Sequence, residues 1–328
     1  MNAIIRSIGI YTPQRMIDNA YFEKIVDTTD EWIRTRTGIV QRFYADENEY
    51  TSDLCIQAVK NLSEKYHTDL KTIDFIIVAT STPDQAFPNT ASRIQAAFEI
   101  PHAGCLDISG ACAGFVYGII LAKGLIAANS HKKILVIGAE TLSKITDFTD
   151  RTSCILFGDG AGAVIVEASE ENYVFDSLSE TDGSLGKELY ISSQGALING
   201  IEVIADNKLH QNGRAVFKWA VTTLVKKIRE LADKNHFKLD DIDWFIPHSA
   251  NIRILEAICE GLDIPMERCL ESIRNYGNTS AASIPLAWYS GIQSGKVKMN
   301  DKLLLIGFGG GLTFAGICLQ NKIETVNK

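Results

Sequence analysis

The feature that most constrains this chain is a pattern it uses twice. An apolar run ends at Thr80, Cys112 follows 32 residues later, a second run (ILVIG) ends at Gly138 after 26 more, and GDGAGAVIVE comes next. In the second half a run ends at His248, Asn278 follows after 30 residues, LLLIG ends 29 further on at Gly307, and GGGLTFAGICL comes next. One supersecondary unit used twice implies two pseudo-symmetric halves. On this spacing the equivalent positions are Cys112 in GACAG and Asn278 in GNTSA. Open α/β sheets bind ligands beyond the carboxyl ends of their strands. The pairing therefore predicts Cys112, His248 and Asn278 within reach of one another near the junction of the halves.

The runs read as sheet. DFIIVAT (74–80), KILVIGA (133–139), GAVIVE (162–167), DWFIPH (243–248), KLLLIGF (302–308) and FAGICL (314–319) include stretches apolar at successive positions, as in strands covered on both faces. Helical patterns lie between them. Phe217, Val221, Leu224, Ile228 and Leu231 recur at steps of 4, 3, 4 and 3, which is one apolar stripe, with Lys218, Lys226 and Arg229 opposite. At 328 residues the chain is long for one core. The expected class is α/β, with an N-terminal half over 1–170 and a C-terminal half over 171–328.

The formal charge of −8 lacks the basic surplus of a free nucleic-acid binder. Seven cysteines without a CxxC pair, and six histidines that do not cluster with them, give no zinc or disulfide framework. The odd cysteine count suits a reducing compartment. MNAIIRSIGIYTPQRM reads as a first strand rather than a signal peptide. GFVYGIILAKGLIAA is too short to span a bilayer. A cytoplasmic location follows as an expectation.

Cys112, in DISGACAGF, has two readings. Buried cysteines are commonly inert, but this one precedes a helix-like run, and a helix N-terminus favours a thiolate. His248 in FIPHSAN follows a strand stopped by Pro247. Asn278 in YGNTSAASIP is typical of a turn or cap. Together they offer a nucleophile, an imidazole and an amide donor. Three glycines at 309–311 allow close backbone approach to a ligand and equally suit a tight hairpin. GDGAG (158–162) lacks the P-loop ending and reads as a turn.

DEWIRTRTGI, DISGACAGF, LFGDGAGA, NGRAVFKWA, IPHSAN, YGNTSAAS and GFGGGLT resemble, in this order and along nearly the whole chain, the β-ketoacyl-acyl carrier protein synthase III family. The resemblance implies a thiolase-like fold layered α-β-α-β-α and a reaction that needs no metal or organic cofactor. It implies that an acyl-CoA primer acylates Cys112. Decarboxylation of malonyl-acyl carrier protein, aided by His248 and Asn278, then yields the enolate that attacks the thioester, so that the enzyme initiates fatty acid biosynthesis. The N–H groups of Cys112 and Gly310 would form the oxyanion hole. Trp32 and Arg151 would sandwich the adenine, Thr28, Arg36 and Thr37 would bind the nucleotide's polar groups, and Asn251 would contact the pantetheine arm. Lys218 and Arg253 would meet the acidic carrier protein. Phe87 would reach the neighbouring subunit's acyl pocket in a homodimer.

Ser249 departs from the glutamine common in the family, and AWYSGIQSGKV (287–297) is unusually aromatic. The rival readings are a same-fold acyltransferase or ketosynthase of specialised metabolism and, more remotely, a cysteine hydrolase. The latter also orders Cys, His and Asn along its chain.

Overall fold

A computed structural model describes residues 1–326 of the chain. The first sheet comprises β1 (Asn2–Tyr11), β2 (Phe75–Ala79), β3 (Gly104–Ile108), β4 (Lys133–Glu140) and β5 (Gly160–Ser169), in the order β1-β5-β4-β2-β3. The second comprises β6 (Val174–Thr181), β7 (Trp244–Pro247), β8 (Lys302–Gly309) and β9 (Thr313–Gln320), in the order β6-β9-β8-β7. Both run antiparallel over their first three strands and then parallel. A parallel bridge between Phe245 and Cys269 stands in the second half where β3 stands in the first.

The helices that build the layers are α1 (Asp30–Thr37), α2 (Thr51–Tyr66), α3 (Gly114–Ala127), α4 (Val225–Lys234), α5 (Ile252–Leu262) and α6 (Ser283–Gln293). Helices α3 and α6 lie between the sheets and contact both, α2 covers the outer face of the first, and α4 covers the outer face of the second. This is why GFVYGIILA is apolar almost all round, as a helix enclosed by sheets must be. Strand residues alternate between layers. In β5, Val164 and Val166 face the centre while Ala163 and Ile165 face α2; in β8, Leu303 and Leu305 face the centre while Leu304 and Ile306 face outward.

The repeat sits at a different register from the one its spacing suggests. Ala111 and Ser280 each open a tight turn with positive φ, 45° and 48°, and those turns lead into α3 and α6. Gly138 and Gly307 follow them by the same 27 residues. Cys112 therefore matches Ala281, and Asn278 matches Ser109. The equivalence of Cys112 with Asn278 is corrected by three residues, because the backbone turn, not the polar side chain, sets the frame.

Two further expectations change. The stripe from Phe217 to Leu231 is buried at Leu224, Ile228 and Leu231, but Phe217 and Val221 are not buried; Val216 and Ala220 are. A π-helical turn over Ala220–Leu224 inserts one residue and rotates the preceding helix (Gly213–Trp219) by that amount. GDGAG is not a turn: Gly158 and Asp159 bond outward to the Asn278 and Phe43 carbonyls, and β5 begins at Gly160.

Candidate active site

The polypeptide leaves β3 at Ile108 and turns through Ala111–Ala113, where Cys112 lines a cavity of about 830 Å³ between the halves, before entering α3. The small residues here are required by contact. A Cβ on Gly114 would lie 2.9 Å from the Ala79 Cβ. A Cβ on Gly307, from the other half, would lie 2.6 Å from the Ala113 Cα. Burial pushes the Cys112 thiol up to about 12; the neighbouring Ser280 hydroxyl works against the rise, and the nearby Glu140 carboxylate adds to it.

His248 follows β7, and its N–H continues the ladder to the Ile306 carbonyl at 2.7 Å. Its Nδ1 lies 2.7 Å from the Ser283 hydroxyl, whose oxygen is also 2.8 Å from the Ser280 carbonyl. That leaves Nε2 for the cavity that His248 lines. Burial lowers the imidazole to about 3, so it is neutral at physiological pH. The Phe308 ring meets it edge-on at 5.1 Å. Asn278 is fixed through its backbone, which bonds the Leu156 carbonyl at 2.8 Å and receives the Gly158 N–H at 3.0 Å. Its Oδ1 accepts the Ser280 N–H at 2.9 Å. The side chain is therefore oriented with Nδ2 as its remaining donor, and Asn278 lines the cavity.

Cys112, His248, Asn278 and Gly310 line one cavity, as do Trp32, Arg36, Thr37, Asn251 and Arg253 toward its mouth. Gly310 lies just beyond the last ladder pair of the β8–β9 hairpin, Gly309–Thr313. Arg151 is outside the lining but holds its guanidinium 5.7 Å over the Trp32 ring, tethered to Asp27 at 3.2 Å. The Thr37 hydroxyl is occupied at the end of α1, donating to the Ile33 carbonyl at 2.6 Å. Thr28 is not among the lining residues, and its hydroxyl is buried without a partner among the described residues. The Asn251 Oδ1 caps α5 by accepting the Arg253 N–H at 2.9 Å.

Phe87 is 86% exposed and outside this cavity. Lys218 is also exposed and outside it. Lys226 and Arg229, the other basic residues of that face, have acidic neighbours: Glu230 at 3.8 Å and Asp263 at 3.4 Å.

Several site residues carried little signal in the sequence. Ser280 and Ser283 sit inside TSAAS, where hydroxyls read as caps. Glu140 was detectable only as an acid closing an otherwise apolar strand. The two departures have structural accounts. The Ser249 Oγ accepts the Ser272 N–H at 2.9 Å, and its own N–H points to the Ser283 hydroxyl at 3.3 Å. In the aromatic segment Trp288 fills the core between the sheets, and the Lys65 ammonium lies 4.6 Å over the Tyr289 ring.

Two stacked pseudo-symmetric sheets, with a thiol at one elbow and an amide beside the other, are the build of the thiolase-fold condensing enzymes. Models of 3-oxoacyl-[acyl-carrier-protein] synthase III match residues 106–183, and of its C-terminal region residues 232–321. The chain is 50% identical over 319 residues to β-ketoacyl-[acyl-carrier-protein] synthase III 2 of Bacillus subtilis, covering 97% of this chain and 98% of that one. It is 49% identical to the Staphylococcus epidermidis protein of the same name, with the same coverage. The β-ketoacyl-[acyl carrier protein] synthase III structure from Thermus thermophilus superposes with a TM-score of 0.93 at 42% identity, over 97% of this chain and 98% of that one. The chain belongs to the β-ketoacyl-[acyl-carrier-protein] synthase III family.

Proposed function

We propose that this enzyme runs a decarboxylating Claisen condensation, in which an acyl-CoA primer acylates Cys112 and the enolate of malonyl-acyl carrier protein then takes the acyl group. The observation that carries the reading is the convergence of Cys112, His248 and Asn278 on one cavity. A thioester keeps the acyl carbonyl electrophilic and its sulfur a good leaving group. The N–H groups of Cys112 and Gly310 are the proposed oxyanion donors. Neutral His248 and the Asn278 amide are the donors to the malonyl thioester oxygen, and the intact pair favours condensation over simple acyl transfer or hydrolysis.

The primer's adenine would enter between Trp32 and Arg151, whose stacked approach supports that role. Arg36 faces the same mouth. Thr28 and Thr37 would contribute through the shape of α1 and the segment before it. Asn251 is the proposed contact for the pantetheine arm. With Lys226 and Arg229 engaged by acids, Lys218 and Arg253 are left as the proposed contacts for the acidic carrier protein.

A homodimer is supported by the edge position of β3 in the first sheet, where Leu106 is 44% exposed, and by the protruding Phe87. Uncovered apolar edges invite strand pairing, and Phe87 would then reach the neighbour's acyl pocket. The division into halves at 170/171 is supported by the gap between β5 and β6. Seven free cysteines support a reducing, cytoplasmic setting. Among the described residues no helix is long and apolar enough to cross a membrane.

The test is intact-mass analysis after incubation with acetyl- and isobutyryl-CoA, followed by malonyl-acyl carrier protein. An adduct on Cys112 that is discharged as product is expected. No adduct, or one that never condenses, rejects the reading. The relative adduct rates rank straight against branched primers.

A further inference from the structure

Beneath Cys112 lies a carboxylate that the condensation above does not use. Glu140 ends β4 with no solvent exposure. It receives the Thr82 hydroxyl at 2.6 Å, the Ser81 N–H at 3.1 Å to each oxygen, the Thr80 hydroxyl at 3.4 Å and the Ser280 hydroxyl at 3.1 Å. No lysine, arginine or histidine pairs with it among the described residues. An enclosed carboxylate without a cation is costly to ionise. The Ser280 hydroxyl is the link: it donates to the Glu140 carboxylate, its turn packs against the turn that carries Cys112, and the two residues line the same cavity. The positive φ of Ser280 belongs to the same turn that aims it there.

We propose that Glu140, acting through the Ser280 hydroxyl, accepts the Cys112 proton as the sulfur is acylated, holds it in the acyl-enzyme, and returns it when condensation releases the sulfur. This rests on Cys112 being the acylated nucleophile. In the first step the sulfur–acyl bond forms and the CoA–acyl bond breaks. The thiol proton passes to the Ser280 oxygen while the Ser280 proton passes to Glu140, and CoA leaves as a thiolate that is protonated by solvent. In the second step the enolate carbon bonds to the acyl carbon, the acyl–sulfur bond breaks, and the relay runs backward to restore the thiol and the carboxylate. Each turnover thus consumes one solvent proton, which appears on CoA.

The electrostatics suit such a store. Burial lifts Glu140 to about 7 against the hydrogen bonds of its donors, within the range where a group exchanges protons at physiological pH. The titratable groups whose own shifts register the Glu140 charge are Cys112, on the elbow before α3, and Cys55, on α2; both are thiols raised by burial. The residues packed around the carboxylate from the β2 end, Thr80, Ser81 and Thr82, carry no charge. Glu140 touches neither substrate and is a positioning residue for the proton.

The experiment compares wild type with Glu140→Gln in single-turnover acylation by acetyl-CoA across pH, followed by intact mass, with infrared difference spectra of the same step. The wild-type rate is expected to rise through an inflection near 7. The variant is expected to be about a hundredfold slower at neutral pH, to lack the inflection and to retain its KM for acetyl-CoA. Acylation of the wild type is expected to produce a protonated-carboxyl band that the variant lacks. Should the variant not fold, the wild-type band decides alone. An adduct without that band, or a variant that matches wild type in rate and pH profile, overturns the proposal and leaves the condensation reading standing. Absence of any wild-type adduct instead rejects the condensation reading on which this rests.

Discussion

Gly309 lies directly against Cys112: a Cβ at 309 would stand 2.9 Å from the Cys112 Cβ and nitrogen and 3.0 Å from its sulfur. The proposed nucleophile comes from one half of the repeated fold, and the surface it rests on comes from the other. Gly309→Ala must therefore push the thiol aside or bend β8. Displacement of a reacting atom by about 1 Å costs on the order of a hundredfold in rate. Acylation by acetyl-CoA should fall by about that factor while far-UV circular dichroism stays unchanged.

Ser283 holds the His248 Nδ1 at 2.7 Å. The Ser283 hydroxyl, which donates to the Ser280 carbonyl at 2.8 Å, must turn to Nδ1 for Nε2 to carry the N–H of the proposed bond to the malonyl thioester oxygen. Ser283→Ala removes that control. Condensation with malonyl-acyl carrier protein should drop about tenfold, the worth of one hydrogen bond of ~1.4 kcal/mol, while the rate of Cys112 acylation is preserved. Separate rapid-quench measurements of the two half-reactions distinguish these effects.

His248 also couples stability to pH. It titrates at 6.5 in the unfolded chain and at about 3 when buried in the fold. Between those values the unfolded chain binds the extra proton, so stability is present above 6.5 and falls as the solution is acidified. The slope is roughly 1.4 kcal/mol per pH unit. Urea midpoints of wild type should decline more steeply below pH 6.5 than those of His248→Gln, which has no such proton to gain.

Removing the Trp32 ring deprives the primer of one face of its proposed stack, with Arg151 left as the other. Trp32→Ala should raise KM for acetyl-CoA about tenfold, in line with ~1–2 kcal/mol for such contacts. Saturating turnover should change little. Steady-state kinetics with acetyl-CoA and with an N-acetylcysteamine thioester, which has no adenine, check this. Only the CoA substrate should lose affinity.

Charge reversal at Lys218 and Arg253 should weaken capture of malonyl-acyl carrier protein and flatten its salt dependence, since mouth charges act mainly on encounter. Reversal at Lys226 or Arg229, each already facing an acid, should have a smaller effect. KM for the carrier protein over a salt series separates the two pairs.

The sheets were legible because strands buried on both faces must be apolar at every position, and KILVIGA or KLLLIGF admits little else. His248 was legible because a strand visibly stops before it. Cys112 needed the repeat, since thiols are buried for many reasons. Other features left no trace of the right kind. The π turn at Ala220–Leu224 adds one residue to a helix, and a stripe counted at helical spacing runs through such an insertion unmarked. The register of the duplication depends on the φ angles of Ala111 and Ser280, and neither residue type announces a left-handed turn. Glu140 closes a strand as many acids do; only the enclosure by Thr82, Ser81 and Ser280 distinguishes it.

The two crossing contacts have a consequence for how such a chain can change over generations. A Cβ on Gly138 would lie 2.3 Å from the Ala281 carbonyl oxygen, just as one on Gly307 would strike Ala113. Each copy of the ancestral unit is seated by a glycine of its sibling. A mutation that reshapes one elbow is screened by the opposite strand, so the copies have to diverge in concert. Within that constraint one copy carries the thiol and the other the amide and hydroxyls. A graft of either half from a relative will succeed only to the extent that its glycine still fits a stranger's turn.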